Sequence, residues 1–168
     1  MTLRIPVFCV VFAVFLLPVH ASGNTDRHSP EKAAQTAAMD ISKRINSGTV
    51  AVVKIFSPNE NLSLQIIRWL ENQLLENRKL TVVSRQQINA LLSEQEFGLS
   101  GYVDDESAQK IGHLLGAQYV LSGEIITVNG VSLLNVQVLE TETAMLIYSK
   151  SFQIEDEQKK ERDRQNRF

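Results

Sequence analysis

Residues 104–127, DDESAQKIGHLLGAQYVLSGEIIT, decide the fold, because they predict a short amphipathic helix that leads directly into a buried strand. The stretch opens with three acids, which suit a helix start because the free backbone N–H groups there favour negative charge. Ala108, Ile111 and Leu115 recur at helical spacing and predict a face buried against a sheet. Gly116 stands where a left-handed C-cap is expected, and an apolar run begins three residues later. The stretch is therefore a packing unit.

Upstream of this unit, helices and strands alternate. The sequence predicts a helix over residues 30–45, a strand over 49–56, a helix over 62–77, a strand over 80–83 and a helix after Ser84. Ser29 is the expected N-cap of the first helix, and Ser84 with Gln87 has the spacing of a capping box. The apolar face of the 62–77 helix is predicted to comprise Leu64, Ile67, Leu70 and Leu74, with Ile66 and Trp69 at its margin.

Downstream, short turns connect three consecutive strands. Asn129-Gly130 is a strong signal for a two-residue hairpin. The inward residues of the strand that follows are predicted to be Ser132, Leu134, Val136 and Val138. The last strand, over 144–154, is predicted to place on one side Leu146, Tyr148, Phe152 and Ile154. The order of elements predicts a single α/β domain with a mixed sheet, a C-terminal antiparallel meander and helices packed on the sheet.

The two ends of the chain differ in composition from the part between them. Residues 1–21 have a basic start, an apolar run too short to span a membrane and a small-residue end, which predicts a cleaved signal peptide. The only cysteine, Cys9, lies in that run, so the exported chain is expected to carry no lipid-attachment cysteine. Residues 22–29 are predicted to be a flexible lead-in, 30–154 the domain and 155–168 a charged tail. We expect a periplasmic protein without a transmembrane segment after signal cleavage.

Composition and motifs argue against several classes of function. The chain has 17 basic and 19 acidic side chains and no basic patch, so nucleic-acid binding, which depends on phosphate neutralisation, is not expected. No phosphate loop, dinucleotide fingerprint or hydrolase motif occurs. His28 lies in the lead-in and His113 lies off the apolar stripe of its helix, so neither is expected to act as a base. We predict no catalytic residue, no cofactor, no metal site and no enzymatic activity.

The loop over residues 97–103 contains apolar and aromatic residues between glycines. Phe97, Leu99 and Tyr102 of this loop form, together with Trp69, the candidate partner surface, because a few aromatic side chains usually carry most of the binding energy of an interface. The alternative for Trp69 is that it packs in the core. The alternative for the loop is that it covers the edge of the core.

Three segments carry a resemblance to a known family: GTVAVVKIFSP at 48–58, KLTVVSRQQINALLSEQEFGLSG at 79–101 and DDESAQKIGHLLGAQYVLSGEI at 104–125. They resemble the domain shared by the curli-secretion components (CsgG) and the periplasmic activators of penicillin-binding proteins (LpoB-like). The similarity covers residues 32–152, and its most specific piece is residues 107–123. The resemblance implies a mixed α/β domain of the bacterial envelope that binds other proteins and catalyses nothing.

The resemblance also implies a class of partner. It indicates a regulator of a peptidoglycan synthase or a component of envelope assembly or secretion, with a penicillin-binding protein or an outer-membrane component as partner. No stretch is long enough for the strand pairs of a curli pore, so a periplasmic adaptor is expected. A homo-oligomer and an outer-membrane association through partners stay open. The alternative function is a small-ligand-binding or hydrolytic domain with the 97–103 loop as its lid.

Overall fold

The computed structural model describes residues 27–94 and 105–155. The elements in these ranges are α1 Pro30–Arg44, β1 Gly48–Phe56, α2 Glu60–Leu75, β2 Leu80–Val82, α3 Arg85–Glu94, α4 Asp105–Leu115, β3 Tyr119–Val128, β4 Val131–Glu140 and β5 Leu146–Ile154. The strands form one sheet in the order β2-β1-β3-β4-β5. β1 is parallel to β2 and β3, whereas β3, β4 and β5 are antiparallel neighbours. The predicted α/β fold, with its mixed sheet and C-terminal meander, is confirmed.

Helices pack on both faces of the sheet. α1 and α2 cover one face, and the main core between them and the strands includes Ile41, Leu70 and Leu121. α3 and α4 lie on the other face over a smaller core that includes Ile88 and Ile111. Burying each such side chain contributes about 1.5–3 kcal/mol relative to leaving it exposed, so these two cores hold the layers together. None of the helices in the described ranges is long and apolar enough to cross a membrane.

The first helix begins as predicted. The Lys32 N–H donates a hydrogen bond to Ser29 Oγ at 3.2 Å, so Ser29 is the N-cap. Before the helix, His28 forms a parallel bridge with Ile154 at the end of β5. The inward face of the helix is made of fully buried small side chains and one isoleucine, namely Ala33, Ala34, Ala37, Ala38 and Ile41. The small side chains bring α1 close to α2.

The second helix differs from its prediction in two respects. It begins at Glu60, earlier than predicted, because the Asn59 side chain accepts a hydrogen bond from the Leu62 N–H at 3.2 Å and caps the helix. Leu64, predicted to be buried, is 45% exposed, so that prediction is wrong. Ser63 takes the inward position because its hydroxyl donates to the Ile55 carbonyl of β1. The buried face comprises Ser63, Ile66, Ile67, Leu70 and Leu74.

The junction between α4 and β3 forms as residues 104–127 predict. Gly116 has a φ of 62°, and the N–H groups of residues 116 and 117 donate to carbonyls of the last helical turn at 3.2 and 2.9 Å. These two bonds form a Schellman C-cap. Ile111 is buried as predicted, but Leu115 is only half-buried at the margin of the smaller core. The prediction for Leu115 is therefore wrong in degree, because Gly112 takes the buried position on the last turn.

The β3–β4 hairpin turns at the predicted dipeptide. Asn129 and Gly130 have φ values of 52° and 75°, the pair of positive φ angles that a type I′ turn requires. The alternation predicted for β4 is also confirmed, since its buried residues in the main core or beside it are Ser132, Leu134, Val136 and Val138.

The last strand departs from simple alternation. Three of its predicted inward residues are buried, namely Tyr148, Phe152 and Ile154, but Leu146 is 51% exposed and its prediction is wrong. Val138 pairs with Tyr148, whereas Leu139 pairs with Leu146, so Ile147 is the extra residue of a β-bulge. The bulge shifts the alternation and places Leu146 beside Leu139, on the face opposite to Tyr148.

The third helix starts at the predicted cap. The Gln87 N–H donates to Ser84 Oγ at 3.3 Å, and the Ser84 hydroxyl donates to Gln87 Oε1 at 3.1 Å. The serine therefore satisfies a free N–H group of the first turn, as an N-cap does. Its second bond, to the glutamine side chain, also stabilises the start of α3.

Arg85, the first residue of α3, ties that helix to the irregular part of β1. β2 pairs with β1 only as far as Val50, and the ladder with β3 shifts register between Val52 and Lys54. The Arg85 guanidinium donates to the Val52 carbonyl and, at 3.1 Å, to the Val53 carbonyl. It also bonds a carboxylate oxygen of Glu71 on α2 at 2.6 Å. One side chain thus connects both helix layers to the irregular part of β1.

Candidate functional site

α4 packs over one end of its sheet face, where Val120 and Leu139 belong to the smaller core. Beyond that end, the side chains on the same side of β3, β4 and β5 form a surface that we call the open sheet face. It is defined by two rows of paired residues, Ser122, Gln137 and Ser149 in one row and Glu124, Asn135 and Ser151 in the other. Ser122 is buried at the base of the first row, whereas the other five side chains are half-buried or exposed.

Hydrogen bonds fix the side chains of the open sheet face. The Gln137 amide donates to Ser122 Oγ at 3.2 Å, and the Asn135 amide donates to Glu124 Oε1 at 3.2 Å. The Ser151 hydroxyl donates to Asn135 Oδ1 at 2.6 Å. The strands and these side chains surround a shallow cavity of about 230 Å³. The surface therefore presents oriented donors and acceptors around a single carboxylate.

An aromatic side chain borders the two polar rows. The β1–β3 register pairs Lys54 with Ser122 and Phe56 with Glu124, which puts both β1 side chains on the open sheet face. Phe56 is 37% exposed, and Lys54 Nζ lies 5.9 Å from the centre of its ring. Phe56 is not among the predicted partner residues, because the sequence predicts it only as the end of a buried strand. The spacing of Lys54 and Phe56 places them on one side of β1, but only the register shift after Val52 turns that side toward the polar rows.

The predicted partner surface is only partly within the described residues. Trp69 lies on α2, half-buried against the main core, and therefore on the opposite side of the sheet from the open sheet face. Phe97, Leu99 and Tyr102 lie outside the described residues, so the surface predicted from the 97–103 loop stays a prediction. The packing of Trp69 agrees with the alternative that it contributes to the core.

The described side chains offer little for acid–base or metal chemistry. In residues 27–94 and 105–155, no three His, Cys, Asp or Glu side chains come together in a way that could hold a metal ion. Burial, with a smaller contribution from Asp40, raises the pKa of Tyr148 to about 12, so its phenol stays protonated near neutral pH. His113 is exposed on α4, and His28 lies 6.4 Å from Phe152, ring centre to ring centre.

Comparison with known families identifies the domain. A family model described as "Curli production assembly/transport component CsgG" matches residues 24–130. The chain belongs to the CsgG family. The match includes the helix-to-strand unit of α4 and β3, as the sequence resemblance implies. A comparison of this CsgG-family chain with curated proteins found no match.

Solved structures share the fold of this CsgG-family chain. The C-terminal domain of LpoB from Salmonella enterica is 20% identical, with a TM-score of 0.62, over 77% of this chain and 100% of that one. Escherichia coli LpoB, solved by NMR, is 19% identical, with a TM-score of 0.58, over 91% and 82% of the two chains. A lipoprotein from Neisseria meningitidis is 16% identical, with a TM-score of 0.51, over 64% and 80%. These likenesses establish a common fold.

Proposed function

We propose that this chain is a non-catalytic protein-binding module of the bacterial cell envelope, exported to the periplasm, that binds an envelope protein through the open sheet face. The observation that carries the proposal is the exposed ring of Phe56 beside two rows of hydrogen-bonded polar side chains. Protein interfaces combine an aromatic anchor with polar groups that keep their hydrogen bonds. The open sheet face has both parts.

The dimensions of the open sheet face favour a protein over a small ligand. Its cavity of about 230 Å³ is smaller than the about 300–1,000 Å³ that small-molecule sites usually occupy. The polar side chains already hold one another in place by hydrogen bonds. Ordering them therefore costs less free energy when a partner binds. A protein that lies across several strands makes use of all these groups at once.

For the partner, we propose a penicillin-binding protein, with an outer-membrane component as the second candidate. Membership of the CsgG family, described by curli assembly and transport, supports an envelope role. The fold shared with LpoB supports a comparison with the LpoB-like activators that the sequence resembles. In this proposal the protein regulates a peptidoglycan synthase, and it reaches the outer membrane only through such partners.

The test is binding of a purified partner to matched variants. Envelope proteins captured on the immobilised chain are identified, and the affinity of the purified candidate is then measured. Phe56→Ala should weaken binding by about tenfold or more, as expected for an aromatic anchor. Leu64→Ala is the control, because Leu64 is an exposed apolar residue on the opposite side of the sheet. Equal affinities for Phe56→Ala and the unchanged chain would exclude the open sheet face as the interface.

The predictions that fall on other residues have their own tests. If the 97–103 loop contributes to the interface, Tyr102→Ala should weaken partner capture and leave the thermal midpoint nearly unchanged. Under the alternative that this loop is the lid of a ligand-binding or hydrolytic site, Tyr102→Ala leaves partner capture intact. Export is tested by the intact mass of the periplasmic protein, because a mass that retains residues 1–21 or carries lipid contradicts cleavage of a signal peptide.

A further inference from the structure

The part of the chain that the structure describes leaves most of the outer edge of β5 without a neighbouring strand. β5 is the last strand in the sheet order, so its inner edge pairs with β4. At the far end of its outer edge, the His28 N–H donates to the Gln153 carbonyl, and the Glu155 N–H donates to the His28 carbonyl, both at 3.0 Å. The outer edge therefore already accepts backbone pairing at its last residues.

The bridge to His28 also shows which backbone groups of β5 point outward. Backbone groups of alternate residues in a strand point to the same edge. The groups of Ser149 and Ser151 therefore point outward with those of Gln153, whereas the groups of Lys150 point inward to β4. The side chains of Ser149, Lys150 and Ser151 are all exposed. A row of outward N–H and carbonyl groups is a template for a further strand.

Two features limit the available part of the edge to residues 148–152. At one end, the bulge at Ile147 interrupts the strand, and Arg44 Nη1 donates to the Ile147 carbonyl at 3.4 Å. At the other end, His28 is paired with Ile154. A segment of about five residues, an ordinary strand length, fits between these two limits.

The side chains around this part of the edge carry more positive than negative charge. Lys150 Nζ lies 2.8 Å from one carboxylate oxygen of Asp40, and Lys43 Nζ lies 3.9 Å from the other oxygen. Arg44 adds a third positive charge, and its guanidinium bonds the neutral carbonyl of Ile147. One carboxylate is thus shared by two lysines beside an arginine. An acidic side chain placed opposite Lys150 on a neighbouring strand would be favourable.

Two segments of this protein itself are poor occupants of the edge. A second copy that paired through its own β5 would bring its positive side chains against those of the first copy, and like charges opposite each other destabilise a sheet. Residues 22–27, which precede His28, read SGNTDR, and Gly, Asn and Asp are depleted in strands. A segment of another protein has neither disadvantage.

We infer that the outer edge of β5 binds an extended segment of a partner protein as a further strand, with an acidic residue of that segment opposite Lys150. In strand addition the backbone hydrogen bonds supply affinity, and alternate side chains supply specificity. Ser149 and Ser151 also end the two polar rows of the open sheet face, so the added strand widens that face. The identification of the occupant as an envelope protein rests on the proposed function, whereas strand addition to β5 does not.

The test is NMR of the ¹⁵N-labelled protein with a blocked peptide of five residues that has glutamate at its centre between β-branched residues. Saturable shifts are expected at the amides of Ser149 and Ser151, with a Kd on the order of 1 mM or weaker for such a short probe. At saturation, hydrogen exchange should slow at these two amides and change least at Lys150, whose N–H already faces β4. The same peptide N-methylated at every residue should not bind, because it has no N–H donor.

Matched variants test the charge and the backbone pairing separately. A peptide with lysine at its centre should bind the unchanged protein at least about threefold more weakly, and Lys150→Glu should reverse this preference. Lys79→Glu, which makes the same change at an exposed site before β2 on the other edge of the sheet, should keep the preference. Ser149→Pro should abolish peptide binding, because it removes an outward N–H group and leaves the inward groups of Lys150 in place.

Several results would overturn the inference. Slow exchange of the Ser149 and Ser151 amides before peptide is added would show that the chain itself covers the edge. Equal binding by the N-methylated peptide, or an unchanged charge preference in Lys150→Glu, would also contradict it. If the peptide binds as expected but Phe56→Ala leaves partner affinity unchanged, the β5 site stands and the proposed interface fails. If Phe56→Ala weakens partner binding and Ser149→Pro does not, strand addition fails and the proposed interface stands.

Discussion

Replacement of Arg85 by alanine tests how the two helix layers are attached to the irregular part of β1. The guanidinium bonds the carbonyls of Val52 and Val53 and the carboxylate of Glu71, and the side chains of Arg85 and Glu71 are only 26% and 17% exposed. Each lost hydrogen bond that involves a charged group contributes about 1.5–3 kcal/mol, although water reaches part of this site and replaces some of it. We expect Arg85→Ala to lower the free energy of unfolding by about 3 kcal/mol.

Urea unfolding monitored by circular dichroism measures this loss. Arg78→Ala is the control, because Arg78 is exposed and its removal should change stability by about 0.5 kcal/mol or less. The double variant Arg85→Ala/Glu71→Ala should be more stable than the sum of the single losses predicts, since the two side chains are in direct contact. A loss equal to that of Arg78→Ala, or strictly additive losses, would refute the reasoning.

Four further measurements test individual features of the fold. Ile111→Ala should cost about 2–5 kcal/mol in urea unfolding because it leaves a cavity in the smaller core. Leu115→Ala, at the half-buried margin, should cost clearly less, and equal losses would contradict the assigned burial. Ser84→Ala should cost about 1 kcal/mol while Ser84→Asp is tolerated, and equal damage from both would argue against a cap. Gly112→Ala should destabilise by about 1–3 kcal/mol, because the new Cβ would lie 2.7 Å from Val120 Cγ2. A gain in stability would show that α4 and β3 leave room for a methyl group there. The raised pKa of Tyr148, about 12, favours the neutral phenol in the folded state, so its contribution to stability should be lost as the pH rises from about 10 to 12. Tyr148→Phe should remove that loss and the corresponding ionisation from an ultraviolet titration, and an unchanged titration would contradict the assignment.

Features set by a few neighbouring residues were predictable from the sequence. Ser29 and Ser84 cap their helices, Gly116 ends α4 in a left-handed conformation, and Asn129-Gly130 makes the β3–β4 turn. Each depends on one side chain or on the φ angles that one residue allows, and these are local properties. The alternation along β4 was predictable for the same reason, because side chains of a regular strand point to opposite faces in turn.

Features that depend on register were decided only in the tertiary structure. The bulge at Ile147 turns Leu146 to the other face, and Ser63 displaces Leu64 because its hydroxyl reaches the Ile55 carbonyl. The open sheet face follows from the same cause, since Phe56 joins it only through the shifted pairing of β1 with β3.

The sequence by itself determined the order of elements, the helix ends at Ser29, Ser84 and Gly116, and the β3–β4 hairpin, because each depends on a few neighbouring residues. The tertiary structure decided which polar residues meet. Asn135 and Glu124 are eleven positions apart, and Arg85 reaches carbonyls more than thirty positions away. Such contacts arise only when strand register and helix packing are set together. Hydrophobic periodicity indicates which face of an element is buried, but it does not indicate which other element packs against that face.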